Sequence, residues 1–171
     1  MFIYFGNNHI YNGHSNQYLK KFKKLVTIFT VTRNKNPIIR LFSCIIFVIF
    51  NLNQIKAVIV ELYSGKSFYS SMILCSILNI LSIKYILVHH GGNLDKKIRK
   101  RSLLLTYLVR NAFKNITPSR FLVDTYKQHD MKIKYIPNFV DNRHEFFKKR
   151  VQVELKLLWV RAFHEIYNPI M

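Results

Sequence analysis

The chain has 171 residues, 50 % of them hydrophobic and 15 % aromatic, enough apolar material for one domain with its own core and too much for a disordered chain. Its 27 Lys and Arg stand against 8 Asp and Glu, a formal net charge of +19, which points to an anionic partner: a nucleic acid, a negatively charged membrane surface or a phosphorylated substrate. Cys44 and Cys75 lie far apart inside apolar runs, which excludes a disulfide framework or a paired-cysteine zinc site and reads as two reduced core residues of a cytoplasmic protein.

Taken in order, Phe2 to Phe5 is a short apolar run ended by Gly6 and predicts a first strand. MFIYFGNN lacks the long apolar region and small-residue cleavage site of a signal peptide. Asn7 to Ser15, rich in Asn, Gly and His, reads as a loop. Ser15 or Asn16 then caps a helix to about Leu25, with Tyr18, Leu19, Phe22 and Leu25 on one face and Lys20, Lys21, Lys23 and Lys24 on the other. Val26 to Val31 is β-branched and short, a second strand. Pro37 suits the first turn of a helix carrying Ile38 to Leu52. Its most apolar part, Leu41 to Phe50, has about half the ~20 residues needed to span a bilayer, and so reads as a core helix.

Ala57 to Leu62 (AVIVEL) is an almost continuous apolar run, the pattern of a strand buried on both faces. Ser67 to Leu81 predicts a deeply packed helix. Tyr85 to Val88 is the next strand, and it runs into His89, His90, Gly91 and Gly92. One amphipathic helix is expected from Asp95 to Phe113, with Lys96, Lys97, Arg99, Lys100 and Arg101 crowding its first turns. Cations there oppose the helix dipole, which suggests that they serve something outside the helix. Asn115 to Thr117 is a short strand ended by Pro118, Ser119 caps a helix to about Gln128, and Ile133 to Ile136 is a further strand. Asn142 to Arg150 is polar and basic, a linker, and Leu155 to Val160 is another strand-like run. The alternation of strands and helices predicts an α/β fold, a Rossmann-like parallel sheet with helices on both faces. Residues 1–150 form this domain with its linker, and 151–171 open a second one.

In an open parallel sheet, ligands gather at the carboxyl ends of the strands. His90, Gly91 and Gly92 are expected there, with Gly13 of the first loop facing them, a cleft suited to hydroxyls and phosphates. Adjacent residues of a strand point to opposite faces, so one of His89 and His90 lines the cleft while the other packs inward. For the same reason, and for want of a third ligand, no metal site is expected. No dinucleotide, phosphate-loop, nucleophile-elbow or zinc-protease motif occurs.

The order of motifs resembles a known family. An HGG (His90 to Gly92), a TPS (Thr117 to Ser119), YIPNFVD (Tyr135 to Asp141) and LLWVRAF (Leu157 to Phe163) followed by YNP (Tyr167 to Pro169) resemble the amino-terminal half of a family 4 glycosyltransferase of GT-B fold. In that family two Rossmann-like domains face a cleft, the first holding the acceptor and the second a nucleotide-sugar. The resemblance implies a hexosyl-type transferase of polysaccharide or glycolipid synthesis, with no metal or other cofactor and a sugar or lipid-linked acceptor. It implies that His90 lies beside the transferred sugar as the catalytic position, and that Gly13, Gly91, Gly92, Ser119 and Asn138 form the acceptor side. Arg161 matches the arginine that contacts the donor diphosphate, a role suited to a fixed cationic fork. The chain departs from the family in three ways. Asn12-Gly13 stands where many members have two glycines, the lysine that often follows the arginine is absent, and the paired glutamates of the donor domain would fall beyond Met171. The fragment alone is therefore expected to be inactive or nearly so.

Lys20 to Lys24 and Lys96 to Arg101 are the expected contacts with an anionic membrane surface, placing the protein at the inner face of the membrane. A rival reading is a basic nucleic-acid-binding module, which needs aromatics interleaved with Lys and Arg on an exposed face. The Phe and Tyr residues fall mostly at expected core positions, so no nucleic-acid partner is expected. A truncated, inactive gene product is the third reading.

Overall fold

The structure is a computed structural model that describes residues 1–6, 26–31, 34–91, 93–100 and 102–138. The chain divides into two compact units, Met1–Phe139 and Val140–Met171. The expected boundary at residue 150 and the strand at Leu155 to Val160 lie outside the described residues, as does the helix expected from Ser15 to Leu25.

The first unit is built on a parallel sheet of six strands in the order β2-β1-β3-β4-β5-β6. The strands are β1 (Phe2–Phe5), β2 (Ile28–Thr30), β3 (Ala57–Leu62), β4 (Tyr85–His89), β5 (Lys114–Thr117) and β6 (Lys134–Tyr135). The helices are α1 (Pro37–Phe50), α2 (Ser67–Ile80), α3 (Leu94–Arg99), α4 (Leu103–Asn111) and α5 (Arg120–Lys127). This is the α/β, Rossmann-like architecture expected from the alternation of elements; of the helices expected on both faces, the described ones cover one face.

Local chemistry explains most of the boundaries. The Asn36 side chain accepts from the Ile38 amide at 2.9 Å, and Pro37 follows as the first helical residue, so α1 starts with one orphan amide capped and another absent. The Ser119 hydroxyl accepts from the Leu122 amide at 3.3 Å and starts α5 in the same way. Ser82 and Asp130, just beyond α2 and α5, take positive φ values of 55° and 52°, the left-handed conformation in which helices commonly terminate.

Register sorts the side chains. Val58 pairs with Tyr85, Val60 with Leu87 and Leu62 with His89, while Ile3 and Phe5 pair with Val58 and Val60. These share one face, and all five described helices bury their apolar sides in the same cluster. Leu74 and Leu78 of α2 and Leu122 of α5 are fully buried there, each worth roughly 2 kcal/mol relative to exposure. On the other face Tyr4 and Ile28 form a small second cluster with Phe2 and Ile59. Connections that run in one direction from β2 to β6 with right-handed crossovers place their helices on one side, as seen. Cys44 and Cys75 are free and buried, and burial pushes both thiols up, that of Cys44 to about 12.

The single helix expected from Asp95 to Phe113 is two. It ends at Lys100, Ser102 takes extended backbone (ψ 120°), and α4 starts at Leu103. The pieces have different neighbours: α3 packs on α5, whereas α4 packs on α2. Breaking the helix lets Leu94 and Ile98 face one groove and Leu105, Leu108 and Val109 another. The core helix expected at Leu41 to Phe50 also differs in part, because α1 buries one side only. Arg40, Leu41, Cys44 and Val48 face inward, while Phe42, Ile46, Ile49 and Phe50 are exposed.

Candidate functional site

The carboxyl end of β4 carries two histidines whose side chains leave the sheet in opposite directions, as the pleat requires. His89 is wholly buried on the helix side. The Asn115 amide nitrogen donates to the carbonyls of Val109 at 2.9 Å and Lys132 at 3.3 Å, which turns its oxygen toward His89 Nε2, 3.1 Å away. An oxygen there requires Nε2 to carry the proton, so Nδ1 is the acceptor for the Tyr126 hydroxyl, which donates to it at 2.6 Å. The Tyr126 ring meets the imidazole edge-on at 4.8 Å. The Thr117 hydroxyl donates to the His89 carbonyl at 2.9 Å. Burial pushes the His89 pKa down to about 4, with Asn115 opposing that shift and His90 adding to it. His89 is a neutral structural histidine that ties β4 to β5 and α5.

His90 belongs to the other side. Its amide donates to the Leu62 carbonyl at 3.0 Å, which extends the β3–β4 ladder by one residue and sets His90 beside Tyr63. The two rings stack at 4.4 Å with an interplanar angle of 7°. The Tyr63 hydroxyl donates to Glu61 Oε2 at 3.0 Å. His90 Nε2 lies 3.3 Å from Glu61 Oε1, within ion-pairing distance although off the line of a hydrogen bond. Glu61 is 4 % exposed and the His90 side chain 19 %, so the carboxylate is sealed and the imidazole forms its accessible edge.

A buried carboxylate is costly unless neighbours compensate its charge. The Tyr63 hydroxyl provides part of that compensation, and Arg40 of α1 provides more. Arg40 is 3 % exposed, and its Nη1 donates to the carbonyls of Asn34 at 3.1 Å and Lys35 at 3.4 Å. Burial works against the Arg40 charge, whereas Glu61, Tyr4 and Tyr63 favour it. Gly6 closes the cluster from β1. A Cβ at this position would overlap the Glu61 carboxylate and come within 2.7 Å of the Tyr4 hydroxyl. Glycine is needed here for space rather than for an unusual backbone. The group offers an aromatic face and an imidazole edge backed by a buried carboxylate.

Of the residues expected at the site, His90 alone is found in this cluster among the described residues. Gly91 is exposed, and a Cβ there would meet nothing within 4 Å, so the protein itself does not impose a glycine. Ser119 is occupied as the cap of α5, and its amide donates to the Thr117 hydroxyl at 3.2 Å. Asn138 is exposed beyond β6. Gly13, Gly92 and Arg161 lie outside the described residues. Sequence reasoning missed Glu61, Tyr63, Gly6 and Arg40. The signal for Glu61 was present: it is the sole acid between Asn34 and Asn93, set at the end of an otherwise apolar strand.

Of the cations noted at the start of α3, Lys97 has its ammonium over the Phe68 and Tyr69 rings at 4.4 and 5.3 Å. Arg99 lies 4.0 Å from Asp95. Among the described residues, no group of three or more His, Cys, Asp or Glu is placed to hold a metal, and no helix is long and apolar enough to cross a membrane. Compared with known proteins, the chain matches no family model, no characterised protein and no solved structure.

Proposed function

We propose that the chain is the acceptor-side half of a glycosyltransferase, which moves a sugar from a nucleotide-sugar to an acceptor hydroxyl in polysaccharide or glycolipid synthesis. The observation that carries this reading is the Glu61–Tyr63–His90 cluster at the carboxyl ends of β3 and β4, where parallel α/β sheets bind ligands. The stacked Tyr63 and His90 rings present a flat surface to the C–H face of a sugar. His90 takes the proton of the acceptor hydroxyl, and buried Glu61 stabilises the imidazolium that results. Gly91, Gly92, Gly13, Ser119 and Asn138 complete the acceptor side in this reading, and Arg161 holds the donor diphosphate. No metal or further cofactor takes part.

Saturation-transfer NMR of the chain with a panel of hexoses and their methyl glycosides tests the reading. A sugar that receives magnetisation from the wild type, and loses it in His90→Ala and in Tyr63→Ala, supports it. Absence of contact with every sugar, or contact unchanged in both variants, removes it.

A second reading has its own observation. The expectation that Phe and Tyr lie mostly in the core is not met: Phe29, Phe42, Phe50, Tyr69, Tyr107, Phe113, Phe121 and Tyr135 are exposed. Three exposed rings carry cations, Lys97 over Tyr69, Lys84 and Lys114 over Phe113, and Arg120 over Tyr135. Such pairs suit single-stranded nucleic acid. They sit on separate elements rather than along one track, which favours the first reading. A salt-dependent mobility shift of single-stranded DNA, abolished in Phe113→Ala, would reverse that order.

A further inference from the structure

We infer that the outer face of α1 is a docking surface for an anionic lipid bilayer. Ile38, Phe42, Ile46 and Ile49 recur every three or four residues on the side opposite Arg40, Leu41, Cys44 and Val48. They are 58, 60, 54 and 53 % exposed, and Phe50 at the helix end is 82 % exposed. No charged side chain interrupts this stripe. An apolar stripe of about three turns in water is a surface that awaits a cover.

The charges around the helix select the cover. Exposed Lys35 precedes α1. Beyond its other end, Lys56 and Lys84 line a groove of about 650 Å³ together with Leu52 and Leu81. From Asn34 to Asn93 the sole acid is Glu61, which is buried against His90. Between Asn34 and Gly91 the chain therefore offers an apolar centre with lysines beyond its ends and no exposed anion. A layer of phosphate headgroups above hydrocarbon has the complementary order. At 14 residues, α1 is about 21 Å long, too short to cross a bilayer but suited to lying in its surface plane. A second copy of the chain is a poorer cover, because each copy carries a net charge of +19 and the lysines would meet lysines. Nucleic acid is poorer too, since isoleucines cannot stack bases and no cation sits over Phe42 or Phe50 among the described residues. The inference does not depend on glycosyl transfer, and it rests on residues other than the basic runs Lys20 to Lys24 and Lys96 to Arg101.

The test is co-sedimentation of the purified chain with vesicles of phosphatidylcholine, alone or mixed with phosphatidylglycerol. Binding is expected to the mixed vesicles and to weaken as salt is raised. Phe42→Ser should weaken it roughly thirtyfold, the loss of one buried aromatic side chain. Lys56→Gln and Lys84→Gln should each weaken it about fivefold. These positions are exposed, so circular dichroism of the variants should match the wild type. The inference is overturned by absence of binding, by equal binding to both vesicle types, or by mixed-vesicle binding unchanged in Phe42→Ser. Light scattering that shows a dimer dissolved by Phe42→Ser would assign the face to a second copy. Loss of single-stranded DNA binding in the same variant would assign it to nucleic acid. Either result overturns the lipid assignment.

Discussion

His89 and His90 are the same residue type, adjacent in sequence, and they differ in nearly everything that matters chemically. His89 is fully buried with both ring nitrogens in short hydrogen bonds, to Asn115 and Tyr126, and its pKa is pushed down to about 4. His90 keeps a solvent edge, stacks on Tyr63 and faces a buried carboxylate. One side of the sheet holds its histidine with groups that satisfy the neutral ring. The other side sets its histidine against an aromatic ring and a buried carboxylate. The environment on each face of the strand, rather than the residue, decides which histidine can do chemistry.

The difference should appear first in stability. Replacing His89 with Ala removes two hydrogen bonds, leaves the Tyr126 hydroxyl and the Asn115 oxygen unpaired in the core, and opens a cavity. The expected loss is about 4 kcal/mol, read from urea unfolding. His90→Ala touches a partly open edge and should cost less than about 1 kcal/mol, although it leaves Glu61 with one partner fewer. If the two variants lost equal stability, the contrast drawn here would fail.

Acid separates the two sides next. His89 has a pKa of about 4 in the fold against an ordinary 6.5. Between those values the unfolded chain takes up a proton that the fold rejects. Its contribution to stability is complete above about pH 6.5, declines as the pH falls, and levels off below about pH 4. The total is roughly 3 kcal/mol. Urea midpoints measured across this range should fall with acid in the wild type, and that part of the slope should vanish in His89→Leu. A slope that survives the substitution would move its origin away from His89.

On the other side, Gly6→Ala should cost about 1–3 kcal/mol, because the added methyl must displace both the Glu61 carboxylate and the Tyr4 hydroxyl.

Much of this could be read from the residues alone. Strand and helix alternation announced the parallel sheet, Pro37 and Ser119 marked helix starts, and the period of two separated His89 from His90. Other features could not be read, for physical reasons that differ. Leu94, Ile98, Leu105 and Leu108 keep a helical spacing across the break at Lys100 to Ser102, so only the distinct packing partners reveal two helices. In α1 the polar residues Arg40 and Ser43 lie on or beside the inward side while Phe42, Ile46 and Ile49 face water, so the usual polar contrast points the wrong way. Glu61 stood out as an acid in an otherwise apolar run, but its partner Gly6 follows a strand more than fifty residues earlier. Neither spacing nor propensity connects such a pair.

That last contact carries a consequence for how this sequence can change. Position 6 has room for a side chain only when position 61 gives some up, and Glu61 keeps its place beside Tyr63 and His90 only while position 6 is bare. The two should therefore drift together in descendants of this chain, with glycine at 6 retained wherever glutamate is kept at 61. A shorter residue at 61, with the Tyr4 hydroxyl turned aside, would free the first position to acquire a methyl, and would signal a lineage in which the histidine beside it has lost its carboxylate.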